Sequence, residues 1–222
     1  DGIRILVSAG PTREPIDPVR FISNYSSGKM GYALAESARN LGADVELISG
    51  PVSIKMPENI KITSVETSAE MLDAVLGKIP YCDVFISAAA ISDYRPSHKL
   101  TEKHKSSDGE LVIRLERGED ILKLAKETKA GLYAVGFSAE TNNISDNAKI
   151  KLEKKNIDMI ISNEANHQKG LGFESDMNEV CIIEKDSMLK IPKNTKKIIA
   201  DIILSKIAKN IKGNLIKIKN VR

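Results

Sequence analysis

Five segments of the chain carry residues whose types and order could bind a phosphorylated ligand, and the first is Ser8–Asp17. The apolar run before it ends at Gly10, where a glycine lets a nucleotide approach the backbone closely. A dinucleotide fingerprint needs the pattern GxGxxG, of which Gly10 alone is present, so an NAD-dependent oxidoreductase is disfavoured. On this segment alone, a nucleotide loop and an ordinary turn between a strand and a helix both stay open.

The second segment, Asn24–Gly31, stands at the start of a predicted helix. Around Ser27, Gly28 and Lys29, the backbone N–H groups of a helix N-terminus could hold an anion. The segment superficially resembles a Walker A loop, but that motif needs Gly at position 23 and Ser or Thr at position 30, where Ser and Met stand. A serine-rich helix cap explains these residues about as well.

The third and fourth segments follow the apolar run Asp83–Ala90. In the third, the small residue Ala89 lets a ligand lie against a strand end, and Asp93 could accept hydrogen bonds from ribose hydroxyls. Close packing of a helix explains the small residues equally well. The fourth, at about residues 97–109, is predicted to be a flap in which Lys103 and nearby lysines suit a lid over phosphates. A solvated charged loop is the simpler interpretation of that segment alone.

The fifth segment leads from Phe137, at the end of an apolar run, to two lysines on one predicted helix face, Lys151 and Lys155. Two ammonium groups four residues apart repel each other unless an anion such as a triphosphate lies between them. Phe137 could stack on a nucleotide base. By spacing alone, a surface lysine pair and a core phenylalanine are the simpler interpretation.

The elements that position these segments alternate between strand and helix through residue 162, which predicts an α/β fold. We expect a Rossmann-like, doubly wound and mostly parallel sheet in a single domain of residues 1–222, with a C-terminal hairpin and helix at about 177–212. Ser68 is expected to cap one helix, and Leu111–Leu115 to form an extended arm. The long loops 10–27 and 94–108 follow strand ends, where ligands bind in open α/β sheets.

Composition excludes several classes of partner. With 33 basic and 30 acidic residues the charge is too even for nucleic-acid binding by bulk charge. No apolar run approaches the ~18 residues of a membrane span. The cysteines, Cys82 and Cys181, stand far apart and fit free thiols in a reducing cytoplasm. We predict no protein metal site, because no Cys or acidic residue stands at ligand spacing from His98 and His104.

Taken together, the five segments resemble the phosphopantothenate–cysteine ligase family, usually the C-terminal half of a bifunctional bacterial coenzyme A flavoprotein. The resemblance covers residues 3 to about 184 and is most specific in the ordered blocks SAGPTREPIDPVRFISNYSSGKMG, AAAISDYRP, VGFSAET and KLEKKNIDMIISN. It implies that CTP activates the carboxylate of 4′-phosphopantothenate as an acyl-cytidylate, from which the amine of L-cysteine displaces CMP. It also implies Mg²⁺ carried with the triphosphate, and a homodimer.

The same resemblance implies a flavin-dependent decarboxylase fused upstream or excised, and residue 1, which is Asp rather than Met, leads us to expect that upstream residues were removed. Asn24 matches the residue that orients the acyl-cytidylate, and Lys103 matches the first lysine of a KxKK flap; these two are the candidate catalytic residues. The matched nucleotide-binding positions are Asp93, Glu119, Asp120, Ile121, Leu122, Phe137, Lys151 and Lys155, to which the loop glycine Gly10 is added. The candidate substrate positions are Asn24, Ser27, Gly28, Lys29 and Ala89.

The chain departs from the family pattern at Ser106, where the flap has a lysine, and at Glu119, where proline is common. Two alternatives to the ligase stay open. A Rossmann-like NAD(P)-dependent reductase is motivated by the alternation of strands and helices. A non-catalytic nucleotide-binding module is motivated by the lack of an evident general base.

Overall fold

The computed structural model describes residues 2–105, 107, 109–140, 144–164 and 175–219. Its central sheet contains β1 (Arg4–Ala9), β4 (Asp44–Ser49), β5 (Lys61–Ser64), β6 (Val84–Ser87), β9 (Tyr133–Glu140), β10 (Met159–Glu164), β11 (Met177–Ile183) and β12 (Met188–Thr195). Short strands outside it are β2 (Glu14–Pro15), β3 (Phe21–Ile22), β7 (Tyr94–Pro96) and β8 (Leu115–Arg117). The helices are α1 (Lys29–Asn40), α2 (Ser68–Lys78), α3 (Ile121–Thr128), α4 (Ile144–Lys155) and α5 (Lys196–Lys219), with a 3-10 turn at Ile79–Tyr81.

The strand order across the central sheet is β12-β11-β10-β9-β6-β1-β4-β5. In this spatial order, neighbouring strands pair in parallel from β5 through β4, β1, β6 and β9 to β10. The pairs β10–β11 and β11–β12 are antiparallel. The sheet therefore runs outward in both directions from the β1–β6 pair, which is the doubly wound arrangement. The Rossmann-like fold class and the C-terminal hairpin predicted from the sequence are confirmed.

Helices cover both faces of this sheet, because the parallel strands are apolar on both sides. Ile5 and Val7 of β1 belong to the buried cluster that contains α1 and α5. Leu6, between them, belongs to the opposite cluster, which contains α2, α3 and part of α4. In the part of the chain that the structure describes, no helix is long and apolar enough to cross a membrane.

The cap of α2 differs from the prediction. Thr67, not Ser68, is the N-cap residue, and its hydroxyl accepts a hydrogen bond from the Glu70 N–H at 3.2 Å. Ser68 lies inside the helix, where its N–H donates to the buried carboxylate of Glu14 at 2.9 Å. Both residues are good caps, and this long-range contact selects between them.

The expected arm at residues 111–115 is shorter than predicted and displaced. Only Leu115 of that segment is in a strand, β8, which pairs antiparallel with β7. The run 83–90 also stops forming strand early, because β6 ends at Ser87. Beyond it the backbone turns toward the loop that follows β1, and that turn creates the candidate site.

Candidate active site

The loops that follow β1 and β6 are bonded to each other at the point where the sheet changes winding direction. The Ala90 N–H donates to the Gly10 carbonyl at 2.9 Å, and the Thr12 N–H donates to the Ala90 carbonyl at 3.2 Å. The Ser92 N–H donates to the Thr12 hydroxyl at 3.0 Å. In open α/β sheets this switch point is the usual place for a ligand, so the two long loops meet where the sequence predicts.

Close packing of glycines brings α1 onto the end of β1. Gly28 is the N-cap of α1 and has a left-handed backbone, with φ of 77°. A Cβ atom on Gly31 would lie 2.5 Å from the Cβ of Ala9, so only glycine allows this approach. Gly10, Gly28 and Gly31 thus lie together in space as the glycines of a GxGxxG motif do. In the sequence, residues 11–27 separate the first glycine from the other two. A search for the contiguous pattern misses this arrangement.

A cavity of about 150 Å³ opens at the N-terminus of α1 and is called the α1 cavity below. It is lined by Ser26, Ser27, Gly28, Lys29, Met30, Gly31, Ala88, Ala89, Ala90, Phe137, Ser138, Asn163, Asn178 and Lys196. The predicted substrate residues Ser27, Gly28, Lys29 and Ala89 are therefore brought together here. The first N–H groups of a helix have no intrahelical acceptor and carry partial positive charge, so this end of α1 favours an anion.

The α1 cavity has two lysines in its lining, and an aspartate outside the lining pairs with one of them. Lys29 of α1 forms an ion pair with Asp176, with 2.6 Å between Nζ and Oδ1, and this pairing lowers the pKa of Asp176. Lys196, the first residue of α5, is 7% exposed. Its burial, and then the charge of Lys29, lower the pKa of Lys196 to about 8. The cavity thus concentrates positive charge.

Sequence reasoning missed the contribution of the C-terminal hairpin and helix to this cavity. Asn163, Asn178 and Lys196 come from β10, β11 and α5, which are distant from α1 in the sequence and are brought to it by the strand order and by the packing of α5 on α1. One signal was available in the sequence. Lys196 precedes the fully buried Ile199 and Ile203 by three and seven residues, so it lies on the buried stripe of its helix.

A second cavity, of about 550 Å³, lies beside the N-terminus of α3 and is called the α3 cavity. It is lined by Ser87, Ala89, Ile91, Asp93, Arg117, Gly118, Glu119, Asp120, Ile121, Leu122, Lys123, Leu124, Phe137, Lys154 and Lys155. Nearly all the candidate nucleotide-binding residues are therefore collected in one place. The two cavities share Ala89 and Phe137, so they adjoin at the ends of β6 and β9.

The two predicted nucleotide-binding lysines have different partners. The Lys155 ammonium pairs with Asp120 at 3.0 Å, and Asp120 also caps α3 by accepting from the Lys123 N–H at 3.1 Å. The Lys151 ammonium donates to the hydroxyl of Ser138 at 3.0 Å. Lys155 faces the α3 cavity, whereas Lys151 reaches a residue of the α1 cavity.

Asn24 supports the α1 cavity from behind its lining. Its amide nitrogen donates to the Ala90 carbonyl at 2.7 Å, and its amide oxygen accepts from the Ser26 N–H at 3.0 Å. Both partners line the cavity, so Asn24 joins the two loops that form it. Gly10 has a similar place, behind the lining and bonded to Ala90.

Lys103 is exposed on the flap and lines neither the α1 nor the α3 cavity. The flap is held at two other points. The Leu100 N–H donates to the Ile16 carbonyl at 2.9 Å, and the Arg20 guanidinium donates to the His104 carbonyl at 3.0 Å. The Arg20 guanidinium also donates a hydrogen bond to the buried carboxylate of Asp17. This contact holds the pKa of Asp17 far below its usual range.

The open, doubly wound sheet, with two adjoining cavities at its switch point, defines a Rossmann-like α/β protein. The chain belongs to the family described as the DNA/pantothenate metabolism flavoprotein C-terminal domain, which it matches over residues 1–211. The family relationship predicted from the sequence is therefore confirmed.

Comparisons with individual proteins agree with this family. The chain is 43% identical over 206 residues to the coenzyme A biosynthesis bifunctional protein CoaBC of Vibrio vulnificus strain CMCP6, covering 91% of this chain and 51% of that protein. The crystal structure of the C-terminal domain of a CoaBC protein is 42% identical, with a TM-score of 0.81, and the match covers 95% of this chain and 96% of that domain.

A Cab2 mutant in complex with phosphopantothenate-cysteine has the same fold, with a TM-score of 0.80 at 16% identity, over 98% of this chain and 89% of Cab2. The chain spans about half the length of the curated relatives it matches.

Proposed function

We propose that the chain is a ligase of coenzyme A biosynthesis that joins 4′-phosphopantothenate to L-cysteine at the expense of CTP. The observation that carries the proposal is the pair of adjoining cavities that share Ala89 and Phe137. The larger one has room for a nucleoside, and the smaller one offers a helix N-terminus and lysines for phosphates. Membership of the pantothenate family supports the choice of substrate.

In this proposal cytidine occupies the α3 cavity, beside the Phe137 ring, with its ribose hydroxyls near Asp93 and its charge met by Lys155. The triphosphate then extends past Ala89 toward the N-terminus of α1. Mg²⁺ enters with the triphosphate and neutralises part of its charge. Among the residues that the structure describes, no group of three or more His, Cys, Asp and Glu side chains could hold the ion by itself.

The reaction has two steps. A carboxylate oxygen of phosphopantothenate attacks the α-phosphorus of CTP, the bond to the β-phosphate oxygen breaks, and pyrophosphate leaves. The cysteine amine then attacks the acyl carbon, the bond to CMP breaks, and the amine gives up a proton. Because the nucleotide supplies the leaving group, the protein mainly positions the reactants and neutralises charge.

Asn24 and Lys103 are the residues we assign to this chemistry. Asn24 positions the loop at Ala90, and we assign to its amide the orienting of the acyl-cytidylate that the family resemblance implies. Lys103 approaches the phosphates when the flap covers the site. We further propose a cytoplasmic homodimer, with an upstream decarboxylase domain of the kind found in the bifunctional relatives.

The test is pyrophosphate release with phosphopantothenate and Mg²⁺, with CTP or ATP, and with or without cysteine. Wild type is compared with Asn24→Ala and with Asn40→Ala, which removes an exposed amide at the other end of α1. We expect release with CTP, normal release by Asn40→Ala, and a loss of about 100-fold in Asn24→Ala, comparable to the loss of one oxyanion donor.

The separate reactions locate the defect and the alternatives. Accumulation of the cytidylate in Asn24→Ala would assign Asn24 to the step after activation. Absence of pyrophosphate release with either nucleotide would reject the ligase and favour a nucleotide-binding module. Tight binding of NAD(P)H in a fluorescence titration would instead favour the reductase.

A further inference from the structure

Two residues near the N-terminus of α1 have no role in the family resemblance: Lys196, which lines the α1 cavity, and Asp176, an exposed residue that pairs with Lys29. Both belong to the part of the chain beyond residue 175, in which the hairpin packs against α5 and α5 packs against α1. The Lys196 backbone N–H donates to the Asp176 carbonyl at 2.9 Å, so the two residues are held together. Asp176 in turn forms the ion pair with Lys29.

Lys196 occupies an unfavourable position for a purely structural lysine. It is 7% exposed, it lines the cavity, and it lies close enough to Lys29 to be affected by its charge. An ammonium group buried beside another one costs free energy, and a Met or Leu on the same apolar stripe would not carry that cost. The nearby charge of Asp176 offsets part of this cost, and a multiply charged anion that enters between the two ammonium groups and the helix end would offset more of it.

We propose that Lys196 binds a phosphate group of the substrate, and that this phosphate replaces Asp176 as the partner of Lys29. The identity of the ligand rests on the proposed function, in which two substrates carry phosphate: the nucleotide and phosphopantothenate. The C-terminal hairpin and helix are, on this inference, part of the site, and Asp176 holds Lys29 in place before the phosphate arrives.

The size and lining of the cavity fit a phosphate group better than a base. Its volume of about 150 Å³ is far smaller than the 550 Å³ of the α3 cavity. Besides Lys29 and Lys196 it presents the amide side chains of Asn163 and Asn178, which can donate hydrogen bonds to phosphate oxygens.

The test measures binding of inorganic pyrophosphate, CTP, cytidine and phosphopantothenate by calorimetry to wild type, Lys196→Met and Lys196→Arg. Lys197→Met is the matched control, because it removes the same charge from the adjacent, exposed position of α5. We expect Lys196→Met to weaken binding of at least one phosphate-bearing probe by about 10- to 100-fold, as for a charge-assisted hydrogen bond. Cytidine should be unaffected, Lys196→Arg should restore part of the affinity, and Lys197→Met should behave as wild type.

The probes separate the two sources of phosphate. Loss confined to pyrophosphate and CTP would assign Lys196 to the nucleotide, and loss confined to phosphopantothenate would assign it to that substrate. Asp176→Asn should bind the same probe a few-fold more tightly, because no ion pair between Lys29 and Asp176 has to open first. Unchanged or weaker binding would reject the exchange of partners at Lys29.

Two results would overturn the role of Lys196. The first is that Lys196→Met binds every phosphate-bearing probe as tightly as wild type does. The second is that wild type binds none of these probes. The outcome is independent of the ligase assay. Pyrophosphate binding that depends on Lys196, in a protein that releases no pyrophosphate from CTP, would retain this inference and reject the proposed reaction.

Discussion

At the scale of single residues, the buried Lys196 predicts how stability changes with pH. The pKa of its ammonium is lowered to about 8 from an ordinary 10.5, so the folded chain binds fewer protons than the unfolded chain between those values. Below pH 8 the lysine is charged in both states and its burial destabilises the fold fully. As pH rises from 8 to 10.5 this destabilisation disappears.

Lys196→Met should therefore melt at a higher temperature than wild type at pH 7, by several degrees, since about 1 kcal/mol corresponds to roughly 2–4 °C in a domain of this size. The difference between the two proteins should shrink from pH 8 to pH 10.5, measured by thermal unfolding in a series of buffers. Lys197→Met, at the exposed neighbouring position, should show no such trend. A constant difference across the pH range would contradict the assignment of the destabilisation to the charge.

Residues that line the two cavities could be predicted from the sequence to the extent that they lie in contiguous segments after strands. Ser27, Ala89, Asp93 and Phe137 fall in such segments, and all four line the cavities. Lys196 could not be assigned in the same way, because its place near Lys29 depends on how α5 packs beside α1 on the same face of the sheet. Local sequence shows only that it lies on a buried stripe.

At the scale of the elements, the contact between α1 and β1 sets the position of the helix N-terminus. Gly31→Ala would place a Cβ atom 2.5 Å from the Cβ of Ala9 and 3.2 Å from the Ser8 carbonyl oxygen, so α1 must move away from the strand. We expect a loss of about 1–3 kcal/mol in the free energy of unfolding, measured in urea, and weaker binding of CTP.

Gly77→Ala in α2 is the matched control for this substitution. A Cβ atom there would meet no atom within 4 Å, and its helical position favours Ala. The control should gain about 0.5–1 kcal/mol of stability. Equal effects of the two substitutions would show that helix propensity, and not the contact with β1, determines the result at Gly31.

The bounds of the elements could be predicted where they depend on local pattern and were wrong where they depend on distant contacts. The strand β4, Asp44–Ser49, follows local pattern, because its apolar run is bounded in the sequence by Gly42 and Gly50. The apolar run 83–90 continues three residues past the end of β6 at Ser87, since the backbone at Ala90 bonds to the loop of Gly10 instead of continuing the ladder.

At the scale of the whole molecule, an exposed apolar surface bears on the proposed homodimer. Val112 is 74% exposed and Leu115 49%, and Leu100 and Ile113 are also exposed. This surface adjoins a cavity of about 470 Å³ that extends beneath the flap to Ile16. Contiguous exposed apolar surface of this kind marks an interaction site, and it lies beside the flap that carries Lys103. We therefore propose this surface, and not the C-terminal hairpin, as the contact of the proposed homodimer.

Val112→Glu should convert the dimer to a monomer, because two like charges would be buried where the surfaces meet. Leu189→Glu places the same charge on an exposed apolar residue of the hairpin and should leave the dimer intact.

Sedimentation velocity of the two variants and wild type over a range of concentrations distinguishes the interfaces. Dissociation by Leu189→Glu alone would transfer the contact to the hairpin, and a monomeric wild type with full ligase activity would reject the dimer. If the flap acts on the partner's site, the monomeric Val112→Glu variant should lose ligase activity. Binding of CTP in the α3 cavity of each chain should persist.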